Sequence, residues 1–111
     1  NDEMGPVLDW MTKHIAEQLT LEMIADRFSM SLRTFQRRFQ ALTGLAPLNW
    51  INENRLNRAR ALLETTDLSI EQVAYRSGLG STANLRKHFE RRLKTTPSVY
   101  RSTFKLDYAK P

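Results

Sequence analysis

Residues 19–50, LTLEMIADRFSMSLRTFQRRFQALTGLAPLNW, and residues 68–100, LSIEQVAYRSGLGSTANLRKHFERRLKTTPSVY, carry one pattern twice. At an offset of 49, Leu19 meets Leu68, Glu22 meets Glu71, Ile24 meets Val73 and Ala25 meets Ala74. Gly80 is one extra residue and raises the offset to 50. Beyond it Ser31 meets Ser81, Phe35 meets Leu85, Phe39 meets Phe89, Pro47 meets Pro97 and Trp50 meets Tyr100. A repeat that keeps helix caps, apolar positions and a proline in step means that one supersecondary unit is built twice.

That unit is helical, because no stretch alternates apolar and polar residues while apolar spacings of three and four recur. Pro6 precedes a first helix, with Leu8, Met11, Ile15 and Leu19 as its apolar stripe. Thr20 is placed to cap a helix over 21–27, which carries Leu21, Ile24, Ala25 and Phe28. Ser31 caps a helix over 32–43 that Gly44 stops. Pro47 suits the first turn of a long helix over about 47–64. Ser69 caps a short helix that Gly78 ends, Ser81 caps 82–94, and Pro97 opens a last short helix. Each repeat is therefore a short helix, a tight turn and a longer basic helix, the helix-turn-helix plan. The expected fold is all-α: helix-turn-helix units over about 20–43 and 69–94, joined by the long helix as a stiff spacer. The domain is expected to run from 5 to 104, with 105–111 a tail.

On the helix 32–43, Phe35, Phe39 and Leu42 form the predicted core stripe. Arg33, Gln36 and Arg37 then share another face, which Gln40 extends, and Arg38 points sideways. On 82–94 the stripe is Leu85, Phe89 and Leu93, and the matching outer face carries Thr82, Ala83, Arg86 and Lys87. These are groove-reading residue types. Arginine pairs bidentately with guanine, glutamine with adenine, and alanine or threonine methyls pack on a thymine methyl. Ser31, Thr34, Arg38, Ser81, Asn84 and Arg91 are candidates for holding phosphates, which sets register without reading sequence. The plainer alternative is that basic residues on an exposed helix face are simply solvated. Arg55 falls on the apolar stripe Ile51, Arg55, Ala59, Leu63 and is expected to be a half-buried structural arginine. Arg58 and Arg60 point elsewhere and are further DNA candidates, and His88 takes the place of Arg38 as a phosphate neighbour. Trp10 and Trp50 sit on apolar stripes and are expected in the core rather than as base-stacking platforms.

Charge supports the nucleic-acid reading. The chain has 111 residues and a net charge of +5. Residues 31–60 hold six Lys/Arg against Glu53 alone, and residues 81–105 hold seven against Glu90 alone. The rest holds four bases and ten acids, so each recognition segment projects its own positive field. Enzymatic chemistry finds no foothold. There is no cysteine, hence no thiolate metal site or thiol nucleophile. No G-x-S-x-G elbow or phosphate-binding glycine loop occurs, and His14 and His88, the two histidines, lie far apart, so no metal or cofactor is expected. Apolar runs are too short to span a bilayer and the acidic NDEMGP start is unlike a signal peptide, so a cytoplasmic protein is expected. Without a methionine at position 1, the chain reads as a piece of a longer protein. The alternatives in other binding classes are a protein-interaction module and a non-specific DNA binder.

LTLEMIADRFSMSLRTFQRRFQALTGLAP, then RLNRARALLE, then LSIEQVAYRSGLGSTANLRKHFERRLKTTPSVYR resemble the DNA-binding domain of the AraC/XylS family of bacterial transcription regulators over roughly residues 5–104. SLRTFQRRF followed by GSTANLRKHF is most similar to members that fuse this domain to a PfpI/ThiJ-like (class I glutamine-amidotransferase-like) sensor domain. The resemblance implies seven helices, with both recognition helices entering successive major grooves of double-stranded DNA. It implies Arg33, Gln36 and Arg37 as readers in the first unit, and Thr82, Ala83, Arg86 and Lys87 in the second. It further implies an activator working with RNA polymerase at the nucleoid, monomeric as this piece and dimeric through a sensor domain. Two residues depart from the family pattern: Leu79 where phenylalanine is usual after Gly78, and Thr95 where glycine is usual. The second puts the end of the helix 82–94 at issue.

Overall fold

The computed structural model describes residues 4–109, with side chains from 4 to 106. Among the described residues seven helices follow one another: α1 (Met4–Lys13), α2 (Leu21–Arg27), α3 (Leu32–Thr43), α4 (Pro47–Thr65), α5 (Ile70–Ser77), α6 (Thr82–Leu93) and α7 (Pro97–Ala109). All four predicted hydroxyl caps form. Thr20, Ser31, Ser69 and Ser81 each accept the backbone N–H three residues on, from Met23, Thr34, Gln72 and Asn84. Each such bond satisfies one of the donors that a helix start leaves without an intrahelical partner.

The boundary between two packed units falls inside α4, between Asn54 and Arg55. The first unit's core holds Met4, Val7, Met11, Ile15, Ile24, Ala25, Phe35, Phe39 and Ile51. The second unit's core holds Leu56, Ala59, Leu63, Val73, Ala74, Leu79, Leu85 and Phe89. α4, expected from the sequence as a stiff spacer, contributes to both cores. Its first half closes one core and its second half opens the other. Within each unit a large aromatic ring locks the recognition helix edge-on. Trp50 meets Phe39 at 5.7 Å and 82°, and Tyr100 meets Phe89 at 5.6 Å and 72°. Such pairs add about 0.5–1.5 kcal/mol beyond area burial.

The repeat extends further than its letters do. From 31 to 50 and from 81 to 100, burial matches position by position, except that Arg38 is exposed while His88 is half-buried. α1 also has a counterpart: Met4, Val7 and Met11 are buried at the spacing of Leu56, Ala59 and Leu63 in the second half of α4. Each unit is therefore four helical segments, with the helix-turn-helix pair flanked on both sides.

Several expectations are corrected. α1 starts before Pro6, whose fixed φ and missing N–H are tolerated in a first turn. Val7 is buried in place of Leu8, which is only half-buried, and Ile15 and Leu19 lie beyond the helix end. Leu42 is 55% exposed. Thr43, one helical turn beyond Phe39, is the half-buried residue instead, as Leu93 is in the second unit. Thr43 can turn inward because its hydroxyl donates to the Phe39 carbonyl, 2.9 Å. α6 ends at Leu93, and Lys94 takes the left-handed position that Gly44 takes after α3, so the residue standing in for glycine is Lys94, not Thr95. The last helix is not short. It runs to Ala109, into the stretch 105–111 expected to be a tail, of which 110 and 111 lie outside the described residues, and Lys105 Nζ reaches Asp67 Oδ1 at 2.7 Å.

Candidate nucleic-acid interface

α3 is built to present one face. Phe35 and Phe39 are fully buried, so Arg33, Gln36, Arg37 and Gln40 are turned out and exposed. α6 does the same with Leu85 and Phe89 inward and Ala83, Arg86 and Lys87 outward, while Thr82 is half-buried at the helix start. The structure thus turns the predicted readers Arg33, Gln36 and Arg37 outward in the first unit and Ala83, Arg86 and Lys87 outward in the second, and leaves Thr82 half-buried. Among the described residues no hydrogen bond or ion pair engages the side chains of Arg33, Gln36, Arg37, Arg86 or Lys87.

Other bases are tied into the fold. Arg27 lies over the rings of Trp10 at 5.6 Å and Phe28 at 5.8 Å. Burial lowers the Arg55 pKa from its ordinary value, as expected of the structural arginine on that stripe. Arg58 Nε donates to the Arg76 carbonyl at 2.8 Å. Arg60, a DNA candidate in the sequence, stacks on Tyr100 at 5.7 Å and donates to its hydroxyl, and that hydrogen bond raises the arginine's pKa. Tyr100 in turn donates to Glu64, and burial is the main reason its phenol titrates high. Arg101 donates to the carbonyls of Leu63 and Thr66, both at 3.2 Å, where the exposed carbonyls and dipole of the α4 C-terminus favour a cation.

The candidates for holding phosphate divide. Arg38 and Arg91 are exposed. The Ser31 hydroxyl accepts the Thr34 N–H at 3.1 Å and donates to the Thr34 hydroxyl at 2.9 Å. Ser81 accepts the Asn84 N–H, and the Asn84 amide donates to the Leu79 carbonyl at 2.9 Å. At His88, burial first, and then Lys87, Arg91 and Arg92, lower the imidazole pKa from its ordinary value. The stacking of Arg27 on Trp10 and the Arg60–Tyr100–Glu64 chain carry no signature in the sequence, since their partners lie 17 and 40 residues away or turn on a helix-to-helix approach.

Two exposed basic helices, each the second member of a helix-turn-helix pair capped by a serine, define a tandem helix-turn-helix domain. Residues 24–103 match the family described as "Helix-turn-helix domain". The chain belongs to the AraC-type helix-turn-helix family. It is 39% identical over 94 residues to the HTH-type transcriptional activator RhaS of Citrobacter koseri, covering 85% of this chain and 34% of that protein. It is 38% identical over 98 residues to the RhaS of an Enterobacter species, covering 88% and 35%. The chain thus spans about a third of the length of the curated relatives it matches. Among solved structures it is similar to the DNA-binding domain of AdpA, a global transcriptional factor crystallised with a target DNA, with a TM-score of 0.94, 41% identity and 100% of both chains covered. It is also similar to an AraC-type regulator from Chromobacterium violaceum, with a TM-score of 0.81, 29% identity, and 92% of this chain and 91% of that one covered. No helix among the described residues is long and apolar enough to cross a membrane.

Proposed function

We propose that the chain binds double-stranded DNA with sequence preference, as the DNA-binding part of a bacterial transcription regulator. The observation that carries this is the division of its bases. Arg33 and Arg37 on α3 and Arg86 and Lys87 on α6 have no side-chain hydrogen bond or ion pair among the described residues, while Arg27, Arg55, Arg58, Arg60 and Arg101 are taken up by the fold. Unpaired guanidinium groups crowded on one helix repel by a few tenths of a kcal/mol per pair. A phosphate-lined groove removes that penalty.

In this reading α3 and α6 each enter a major groove, in successive turns of one duplex. Arg33 and Arg37 read guanine and Gln36 reads adenine. Thr82 and Ala83 pack on thymine methyls, with Arg86 and Lys87 on guanine or phosphate. Arg38 and Arg91 hold the backbone. Affinity comes from counterion release, so binding falls with salt at a log–log slope of about −0.9 per phosphate. The name of the RhaS relatives and the DNA in the AdpA crystal support the same reading for this chain. The regulator is an activator acting with RNA polymerase in the cytoplasm, at the nucleoid. The motifs SLRTFQRRF and GSTANLRKHF favour a class I glutamine-amidotransferase-like sensor domain as its other part, through which it dimerises while this piece stays monomeric.

Selection of bound sites from random duplexes tests the core of this. Two half-motifs centred about ten base pairs apart are expected. A single contiguous motif would leave only one unit reading bases, and no enrichment at all would overturn sequence-specific binding.

A further inference from the structure

The turn before α6 differs from the turn before α3, and Asn84 closes the difference. After α2 the chain makes the paired bonds of a Schellman turn: Ser29 N–H to the Asp26 carbonyl at 3.1 Å, and Met30 N–H to the Ala25 carbonyl at 2.9 Å. After α5 the inner bond is kept, Gly78 N–H to the Tyr75 carbonyl at 3.2 Å. The outer bond is displaced by one residue: Gly80, not Leu79, donates to the Ala74 carbonyl at 2.8 Å. Gly80 is the residue the second repeat has in excess, and it sits at φ +87°, open to solvent around its Cα. The insertion leaves the Leu79 peptide to find other partners. Its N–H goes to the Ser77 hydroxyl at 3.4 Å, and its carbonyl receives the half-buried Asn84 amide at 2.9 Å. Thr34, which stands where Asn84 stands, makes no such bond; its hydroxyl faces Ser31.

We infer that Asn84 is a positioning residue for the second recognition helix: by holding the first turn of α6 to the inserted loop, it sets where Thr82 and Ala83 meet the bases. This rests on the reading that α6 reads DNA. Asn84 shares the first turn of α6 with Thr82 and Ala83, and its backbone N–H is the one that Ser81 caps. Loss of the amide frees the Leu79–Gly80 segment, where glycine offers no resistance to backbone rotation. The helix start then samples several placements over the groove.

The test is Asn84→Ala in the full chain, with binding measured by fluorescence anisotropy on the selected duplex, on duplexes mutated in either half-site, and on random DNA across a salt series. Discrimination at the second half-site is expected to fall about five- to tenfold, while discrimination at the first and the salt slope stay unchanged. A second variant, Asn84→Thr with Gly80 deleted, rebuilds the turn that precedes α3 and is expected to restore discrimination. Equal losses on selected and random DNA with a slope shallower by about 0.9 would make Asn84 a phosphate ligand and overturn the inference. Unchanged discrimination, or a loss shared by both half-sites together with a lowered melting temperature, would overturn it as well. Failure of the unsubstituted chain to distinguish the selected duplex from random DNA would instead count against the proposed function.

Discussion

After both helices of each pair the two units place a left-handed residue at matching positions with their glycines exchanged, and the second unit adds the inserted Gly80. After the first helix of the pair, the residue at positive φ is Ser29 at 58° in the first unit and Gly78 at 93° in the second. After the recognition helix it is Gly44 at 79° in the first unit and Lys94 at 57° in the second. A side chain in this region costs roughly 1–2 kcal/mol, because Cβ crowds the following carbonyl. Each unit thus carries one relaxed and one strained cap, at opposite ends of its helix-turn-helix pair. The left-handed conformation is therefore imposed by packing on either side of the turn, and glycine eases it without causing it. The reading sets differ in a second way. The first unit offers two arginines and a glutamine, the second a threonine, an alanine, one arginine and one lysine, so the first unit is expected to carry more of the base specificity.

The sharpest way to separate the units is to damage one core at a time. Phe39→Ala and Phe89→Ala each remove a fully buried ring at the centre of one cluster, and each is expected to cost about 3–5 kcal/mol. Amide hydrogen exchange then tells how separate the cores are: protection lost only within the mutated unit supports two cores, and loss throughout would show that α4 couples them into one cooperative fold.

Smaller is the effect of the readers. Arg37→Ala is expected to cost about 1–3 kcal/mol on the selected duplex and to relax preference at one base pair. Its counterpart Lys87→Ala is expected to cost less. Equal losses on random DNA would reassign Arg37 to phosphate, and a larger loss for Lys87 would reverse the ranking of the two units.

The exchanged glycines predict a still smaller and opposite pair of shifts. Ser29→Gly and Lys94→Gly should each stabilise by about 1 kcal/mol in urea denaturation, the strain relieved being partly offset by the entropy of an unfolded glycine. Gly44→Ala should destabilise by a similar amount. An added Cβ there meets nothing within 4 Å, so its whole cost is backbone strain. A neutral result at Gly44 would show that α3 can end without the left-handed turn.

The smallest effect distinguishes His88 from exposed Arg38. The folded pKa of His88 lies below its ordinary 6.5 because burial, then Lys87, Arg91 and Arg92, disfavour the imidazolium. As pH falls through 6.5 the unfolded chain takes up this proton before the folded one does, so His88 lowers stability on acidification and the loss continues until the folded pKa is reached. Melting temperature measured between pH 7.5 and 5 should therefore fall, and the fall should be shallower in His88→Gln. An identical profile would place His88 in an environment no different from water.

Much of this was legible because the repeat sets two copies of one physical problem side by side. Serine caps, the Pro47 and Pro97 starts, and the buried Phe35, Phe39, Leu85 and Phe89 follow from spacing alone. Leu42 misled because helical periodicity fixes which residues share a face, not how far along the helix the core reaches. Asn84 and Arg60 carry polar groups suited to DNA, and only the approach of the Leu79 carbonyl and of the Tyr100 ring turned them inward.

By itself the sequence determined an all-helical chain, its two helix-turn-helix pairs and the outward faces of α3 and α6, since caps and apolar periodicity are local and act within a few residues. Tertiary structure alone decided that α4 is divided between two cores, that Lys94 adopts a left-handed turn, and which basic side chains are engaged by the fold. Those outcomes depend on contacts between residues distant in the chain, such as Arg101 with Leu63 and Tyr100 with Phe89, and no local spacing encodes them.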